Sequence, residues 1–522
     1  MAKKYIFTII GSGTSGWLTA LYLQKYYPYC AVRVIASSDI GILGAGEGTT
    51  TNVLNLLIRL GINEKDLYKH TNATVKEAIK FTNWNGDGKS YHHIFNNQDW
   101  FNPSVFKGDT NHSLPPIILD EIAHGDNLDN ILIDVDLHKS NKIKKILSLN
   151  PHNKVEDPIT HFDSVGPNAI HFDASLMANF LKKIAIERGI DYVDDEVVDF
   201  SLDKNEYIEY IHTKSGKEYA TNFVFDCSGF RKLVIGGLYK SKWISYKEHL
   251  PMKRAIGFSI DFEDEDEIPP YTESIAMDFG WAWKIPLQTG FRCGYVYDSD
   301  YINEDEAKDE VIKTFGNDVT FGKSFEFEAG YYEKSWINNC IAIGLSAGFV
   351  EPLEATSIMV QAISLDVFLD NFMGVNPEKS YYRDRYNKTV GSINNENLEF
   401  IYAHYLTKRT SSRFWTEFKD KNITPQGVVK LLDECKLTMP GYAFFFENGK
   451  NYWTYNFLSW YSILAGLELF DRTKAAELIE GMLMSTRRDE ILIFINKYKA
   501  NIKLTAVSSF IKHSEFIKYM IQ

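Results

Sequence analysis

Residues 5–10 (Tyr-Ile-Phe-Thr-Ile-Ile) are almost unbroken in apolar character, the pattern of a strand buried on both faces. The run passes into Gly11-Ser12-Gly13-Thr14-Ser15-Gly16 and then into a helical pattern over residues 17–26. Residues 32–35 read as a second strand and 53–60 as a helix. Residues 75–84 also read as a helix, with Lys76 and Lys80 one turn apart on one face. Residues 171–188 predict a further helix, and 192–200 and 207–213 predict strands. A strand over 223–226 runs into Asp226-Cys227-Ser228-Gly229. Residues 280–286 alternate strictly, so Trp281, Trp283 and Ile285 share one face of a strand that Pro286 ends or places at an edge. The apolar run 340–343 leads through the turn-rich stretch 344–358 into a helical pattern at 359–372. Beyond residue 378 the pattern is mostly helical and rich in aromatics, ending in amphipathic helices over 475–522. Strands alternating with helices, followed by helices alone, predict an α/β fold with a helical C-terminal part.

Length changes this picture only by adding a second lobe. The 522 residues exceed what one hydrophobic core needs. We divide them into residues 1–378 and 379–522, closely packed because no linker separates them. Residues 85–165, polar and rich in Asn, Asp, His and Pro, fit long excursions over a binding site. A net charge of −13 argues against nucleic acid or an anionic membrane as partner. Five scattered cysteines without CxxC pairs fit a reducing compartment. The N-terminus lacks a signal-peptide layout and no stretch approaches the ~20 apolar residues of a membrane helix. These features predict a cytoplasmic protein.

Candidate chemistry starts at the glycines. Gly11, Gly13 and Gly16 form a GxGxxG turn in its strand–turn–helix setting, which holds a dinucleotide pyrophosphate on helix N–H groups. The acid that normally follows the second strand and binds ribose is replaced by Ala36-Ser37-Ser38-Asp39; a serine hydroxyl or Asp39 substitutes, or the contact is missing. A second glycine loop, Gly44-Ala45-Gly46-Glu47-Gly48, fits a flavin-sized cofactor better than a plain surface turn. His92 and His93 have no third ligand at a recognisable spacing, so no metal site is expected. Glu351 and Glu354 stand at the mouth of the helix that follows, where carboxylates also simply complement the helix dipole.

Taken together, Gly11/Gly13/Gly16, Lys80-Phe81-x-Asn83-Trp84, Trp281-x-Trp283-x-Ile285-Pro286 and Phe349-Val350-Glu351-Pro352-Leu353-Glu354 resemble the flavin-dependent halogenases of the tryptophan-halogenase type over most of the chain. The Trp-x-Trp-x-Ile-Pro element discriminates, because related flavin monooxygenases carry the glycine loop without it. The resemblance implies an FAD-binding Rossmann-like core of the flavin monooxygenase type, an additional β-sheet and a mostly helical C-terminal subdomain. It implies that reduced FAD, oxygen and halide give hypohalous acid, which crosses to a separate aromatic substrate. In this reading Lys80 holds or activates the halogen, and Glu354 stabilises charge or accepts the ring proton.

By the same resemblance, FAD contacts fall on Gly11, Gly13, Thr14, Ser15, Gly16, Gly46, Glu47, Gly48, Val197 or Val198, Leu345 and Ile358. Halide contacts fall on Thr356 and Ser357, and substrate contacts on His93, Phe95 and Trp453. Relatives commonly read Glu-Ser-Thr-Gly-Ile where this chain has Glu354-Ala355-Thr356-Ser357-Ile358, which points to a preference for the larger, more easily oxidised halides. The cluster that anchors free tryptophan has no clean counterpart, so an indole or phenol is as good a substrate as the amino acid. A separate NAD(P)H-dependent flavin reductase is implied as partner, and a homodimer is left open. Two other readings compete: a flavin-dependent aromatic monooxygenase without halide, and a catalytically inactive FAD-binding protein.

Overall fold

A computed structural model describes residues 5–41, 46–95, 116–125, 127–131, 133–144, 169–372, 380–441, 444–445, 454–484, 488–493, 495–496 and 510–522. The opening strand, Ile6–Ile10, lies inside a six-stranded sheet between Ala31–Ala36 and Phe223–Asp226, parallel to both. Asp191–Asp194 and Cys340–Ala342 extend this parallel set on either side, and Trp336–Ile337 closes one edge antiparallel. Phe7, Ile9, Val34 and Phe225 are fully buried, which explains why these strands read as unbroken apolar runs. Helix Thr14–Tyr26 follows the glycine turn directly, and helix Ala174–Glu187 packs against it.

A seven-stranded sheet stands beside this core. Its centre is the antiparallel set Arg254–Ile260, Gly290–Tyr297, Gly280–Leu287 and Tyr271–Ala276, continued by Ala78–Thr82 and Ser90–Ile94. Residues 75–84 are therefore not a helix. Thr74–Lys76 pairs with Ala169–Asp173 in a small three-stranded sheet that also holds Gly46–Gly48. One residue later the chain joins the large sheet as Ala78–Thr82. Glu77 makes the crossing: its N–H donates to the Pro270 carbonyl and its own carbonyl accepts from Phe95 N–H. The i,i+4 lysine spacing imitates a helix, but Val75, Ile79 and Phe81 pack on neighbouring strands, and tertiary burial overrides the pattern.

The long helix Ser380–His404 lies along helix Thr356–Asn371 and carries His404 to the interior at its last residue. Strand Phe510–Lys512 returns to pair with Lys142–Lys144, and helix His513–Ile521 packs on Glu64–Thr71. His513 is fully buried; its Nε2 accepts from Val75 N–H at 2.9 Å and its Nδ1 donates to the Ile268 carbonyl at 3.0 Å. Burial drives its pKa down to about 3, so the ring stays neutral, as its acceptor role requires. No helix among the described residues is long and apolar enough to cross a membrane.

Removing the His513 ring leaves the Val75 N–H buried without a partner, beside Lys76. His513→Ala is expected to cost about 1–3 kcal/mol in urea unfolding, the penalty of an unpaired buried donor; an unchanged midpoint would show that this bond contributes nothing.

Candidate active site

The stretch after Cys340–Ala342 folds as two single turns, Gly344–Ser346 and Pro352–Glu354, before helix Thr356–Asn371 begins. Ala355 joins turn to helix in the left-handed region, φ 55°, a conformation that costs an alanine of order 1 kcal/mol. The result is that Glu354 points inward with 1% of its surface exposed. Its carboxylate sits between two rings: His93 Nδ1 lies 2.8 Å from Oε2 and His404 Nε2 lies 2.9 Å from Oε1. Burial alone would raise the carboxyl pKa, but the two histidines outweigh it and hold the group down at about 2.

Lys76 is the amine that faces this carboxylate. It is 1% exposed, its Nζ donates to the Thr49 carbonyl at 3.2 Å, and it lies 4.9 Å from the centre of the Phe95 ring. Burial lowers its pKa to about 7 against the opposing pull of Glu354. An amine lowered this far has an uncharged form within reach near neutrality, which a surface lysine lacks.

Lys80 is not at this site. Strand register places Lys80 beside Glu273 and His92, and Glu273 beside Lys284, all on one face of the large sheet. Ile79, Phe81, His93 and Trp283 lie on the opposite face. Lys80 Nζ pairs with Glu273 Oε1 at 3.2 Å, and although partial burial opposes it, Glu273 and Tyr271 raise its pKa, so it stays charged. The sheet change at Glu77 is what separates the two lysines, and sequence spacing alone could not reveal it. The Glu77 side chain itself turns away to His138 Nε2, 3.1 Å distant.

One motif residue, Trp281, and Tyr405 brace the carboxylate turn. Trp281 Nε1 donates to Glu351 Oε2 at 2.9 Å, and the Tyr405 hydroxyl donates to the same oxygen. Burial raises Glu351 to about 7, with both donors pulling it back. Glu351 is thus a structural group, fixing the turn from below. Trp283 is buried and packs 6.0 Å from Trp281, with no hydrogen-bond partner for its indole nitrogen among the described residues. Ile285 is buried, and the Pro286 carbonyl accepts from Thr74 Oγ1 at 2.7 Å, tying the motif strand to the strand of Lys76.

The glycine loops fit a dinucleotide cofactor. Gly11 has φ 114° and lies against the Cys227 carbonyl, while Gly13 faces open space where a phosphate could approach. A Cβ at Gly16 would strike the Gly11 carbonyl, so this glycine lets helix Thr14–Tyr26 close on its turn. That helix has no side-chain cap at Gly13, leaving its first N–H groups for a ligand. Ser15 Oγ donates to Gln361 Oε1 at 2.6 Å, and Gln361 Nε2 returns a bond to the Ser15 carbonyl at 2.9 Å. Thr14 and Ile358 line one apolar cleft with Val53 and Phe172. The dinucleotide turn and the carboxylate helix are therefore one assembly. Leu345 is half-buried in its turn, Val197 is buried, and Val198 points to solvent at an irregularity in its strand. Gly46 and Glu47 lie in the small sheet, where burial and the charge of Asp173 raise Glu47 to about 7.

Sequence reasoning missed one acid and one imidazole here. Asp194 stands directly across from Ala36 in the parallel sheet and accepts from Ser38 N–H at 2.7 Å. It supplies a carboxylate at the strand end where the ribose acid was absent. The chain signal was an acid at the end of the neighbouring strand, visible only with the strand order. His404 could have been found as a lone histidine ending an apolar helix face. Trp453 lies outside the described residues. Thr356 begins its helix with a buried hydroxyl that has no partner among the described residues, and Ser357 is half-buried beside it.

Residues 6–480 match the tryptophan halogenase family model. The chain is 31% identical over 485 residues to the tryptophan 7-halogenase KtzQ of Kutzneria sp. (strain 744), covering 88% of each chain. It is 30% identical over 544 residues to the tryptophan 7-halogenase RebH of Lentzea aerocolonigenes, covering 96% of each. Among solved structures, the tryptophan C-6 flavin-dependent chlorinase Tar14 from taromycin biosynthesis superposes with a TM-score of 0.84 at 26% identity, over 99% of this chain and all of the other. The mixed α/β fold and these relatives together define the class as flavin-dependent halogenases. This chain belongs to the tryptophan halogenase family.

Gly48 offers a test of the amine's placement. A Cβ at this position would sit 2.9 Å from Lys76 Nζ, the flexible end of a side chain. Gly48→Ala should leave the melting temperature nearly unchanged yet reduce halogenation by about 10²-fold, the scale expected when a reacting group is displaced by an ångström.

Proposed function

We propose that Lys76, not Lys80, activates the halogen, and that Glu354 serves the substrate step. The observation that carries this reading is a fully buried lysine with a depressed pKa facing a fully buried carboxylate. Reduced FAD, held by Gly11, Gly13, Gly16 and the loop around Gly46 and Gly48, supplies the oxygen chemistry that converts halide to hypohalous acid. The first-turn N–H groups of Thr356 and Ser357, with the unpartnered Thr356 hydroxyl, hold the halide. The uncharged Lys76 amine then either donates a directed hydrogen bond to hypohalous acid or takes its halogen with loss of water. The halogen passes to an electron-rich aromatic ring, and the ring proton goes to the nitrogen that gave up the halogen or, where hypohalous acid reacts directly, leaves with its hydroxide as water. A carboxylate held at about 2 is a poor proton acceptor, which favours charge stabilisation of the cationic ring over base catalysis.

The substrate we propose is an indole-like or phenolic ring bounded by Phe95 and His93, with free tryptophan as one candidate. Asp194 and the Ser37–Ser38 turn are proposed to meet the ribose. Residues 1–378 would hold the cofactor and 379–522 would cover the substrate side. A separate NAD(P)H-dependent flavin reductase supplies the reduced FAD, and the scattered cysteines without CxxC pairs fit a cytoplasmic enzyme.

Incubation with FAD, a reductase, NADH, each halide and a panel of indoles and phenols should give products heavier by one halogen. Hydroxylated products without halide would favour the monooxygenase reading, and failure to bind FAD the inactive one. Lys76→Ala should abolish halogenation by about 10²-fold or more while FAD binding persists, and Lys80→Gln should stay within a few-fold of wild type; the reverse ranking would overturn the assignment. Because the amine is uncharged only above its pKa of about 7, halogenation should be full above that pH and fall tenfold per unit below it.

A further inference from the structure

Both ring nitrogens of His404 face acceptors. Nδ1 lies 2.8 Å from the Phe400 carbonyl, which has only lone pairs to offer, so Nδ1 carries a proton. Nε2 lies 2.9 Å from Glu354 Oε1. That contact is a hydrogen bond only if a proton sits between the two atoms. The Glu354–His404 pair therefore holds one proton more than a carboxylate beside a neutral imidazole. His93 Nδ1 lies 2.8 Å from Oε2, a bond that a neutral ring with its proton on Nδ1 also makes.

We propose that His404 is a buried imidazolium that neutralises Glu354, so that the positive charge the carboxylate demands does not have to be carried by Lys76. This rests on Lys76 as the halogen-activating amine. His404 acts through Glu354 and is a positioning residue for charge, touching neither cofactor nor halogen. The two rings hold the carboxyl strongly acidic, which places the shared proton on nitrogen. His404 is fully buried and packed against Phe81, Trp84 and Phe400, so no solvent ion can take its place.

The ionisable groups facing this cluster are few. Around Glu354 stand His93, His404, Lys76 and the neutral phenols Tyr91 and Tyr455. Lys76 faces Glu354 and His171, and His171 is bonded to the Thr74 and Thr272 hydroxyls and held neutral by burial and by Lys76 itself. With His404 absent, Lys76 and His93 are the two groups in this set able to become a compensating cation, and an amine takes up a proton more readily than an imidazole. The amine would then be pinned in the charged form, which neither carries a lone pair nor takes a halogen.

The test replaces the imidazole with an uncharged donor. His404→Gln can still donate to Glu354 Oε1 but cannot hold the extra proton. The Lys76 amine, followed by NMR of ¹³Cε-lysine-labelled protein and identified by its loss in Lys76→Met, should titrate about 1–3 pH units higher than in wild type. The acid limb of the halogenation pH profile should move with it, giving a tenfold or greater loss at pH 7 that recovers at higher pH. Adding Glu354→Gln to His404→Gln removes the uncompensated charge, and the Lys76 titration should return to its wild-type position. An unmoved titration in His404→Gln overturns the proposal. Should that variant fail to fold, ¹⁵N spectra of histidine-labelled wild type decide: one buried ring with both nitrogens protonated supports the imidazolium, and its absence rejects it. The amine's titration is read whether or not the chain halogenates, so a wrong role for Lys76 and a wrong charge for His404 give different results.

Discussion

Everything at the centre of this molecule depends on burying one carboxylate, Glu354, with its charge intact. An isolated carboxylate in an apolar interior would protonate, because desolvation costs more than the proton does. The fold prevents this by bringing two rings from elements far apart in the chain. His93 comes from strand Ser90–Ile94 and His404 from the end of helix Ser380–His404. Each supplies a bond of under 3 Å to a different oxygen. With the carboxylate satisfied on two sides, the buried amine of Lys76 is free to respond mainly to its own desolvation. The chemistry of the lysine is thus set by groups it does not bond.

The tryptophan motif takes on a mechanical meaning in this frame. Trp281 reaches from the motif strand to Glu351, three residues before Glu354, and Tyr405 meets the same oxygen one residue after His404. The large sheet, the carboxylate turn and the last turn of the long helix are therefore cross-linked at one buried acid. Thr74 completes the frame by bonding the Pro286 carbonyl, which fixes the strand that carries Lys76. Of the motif's two indoles, Trp281 bonds the carboxylate turn and Trp283 packs beside it on the same face of the strand.

Much of the fold was legible because parallel strands and the glycine turn have strong local signatures. Ile6–Ile10, the turn at Gly11 and helix Thr14–Tyr26 follow directly from an apolar run and three spaced glycines. The motif strand and the helix after Glu354 were equally plain. The amine was not. Lys76 and Lys80 look equivalent in a period-3.6 reading, and nothing local marks Glu77 as the residue where the chain leaves one sheet for another. Asp194 was hidden for the same reason, since its place depends on which strand lies next to which, while His404 showed only as a lone histidine ending an apolar helix face. Residue types and motifs announce the chemistry, while the pairing of elements decides which copy of a residue performs it.

The crossing at Glu77 also governs how this chain would look to reagents arriving from solution. Lys80, ion-paired and a quarter exposed in its side chain, is accessible but charged, whereas Lys76 has an uncharged form within reach near neutrality but is sealed in. A bulky amine-labelling probe would therefore be limited at Lys80 by protonation and at Lys76 by access. Only a small neutral electrophile that can travel through the interior meets the lysine with a lone pair. The same separation hides Lys76 from chemical mapping while leaving Lys80 within a reagent's reach.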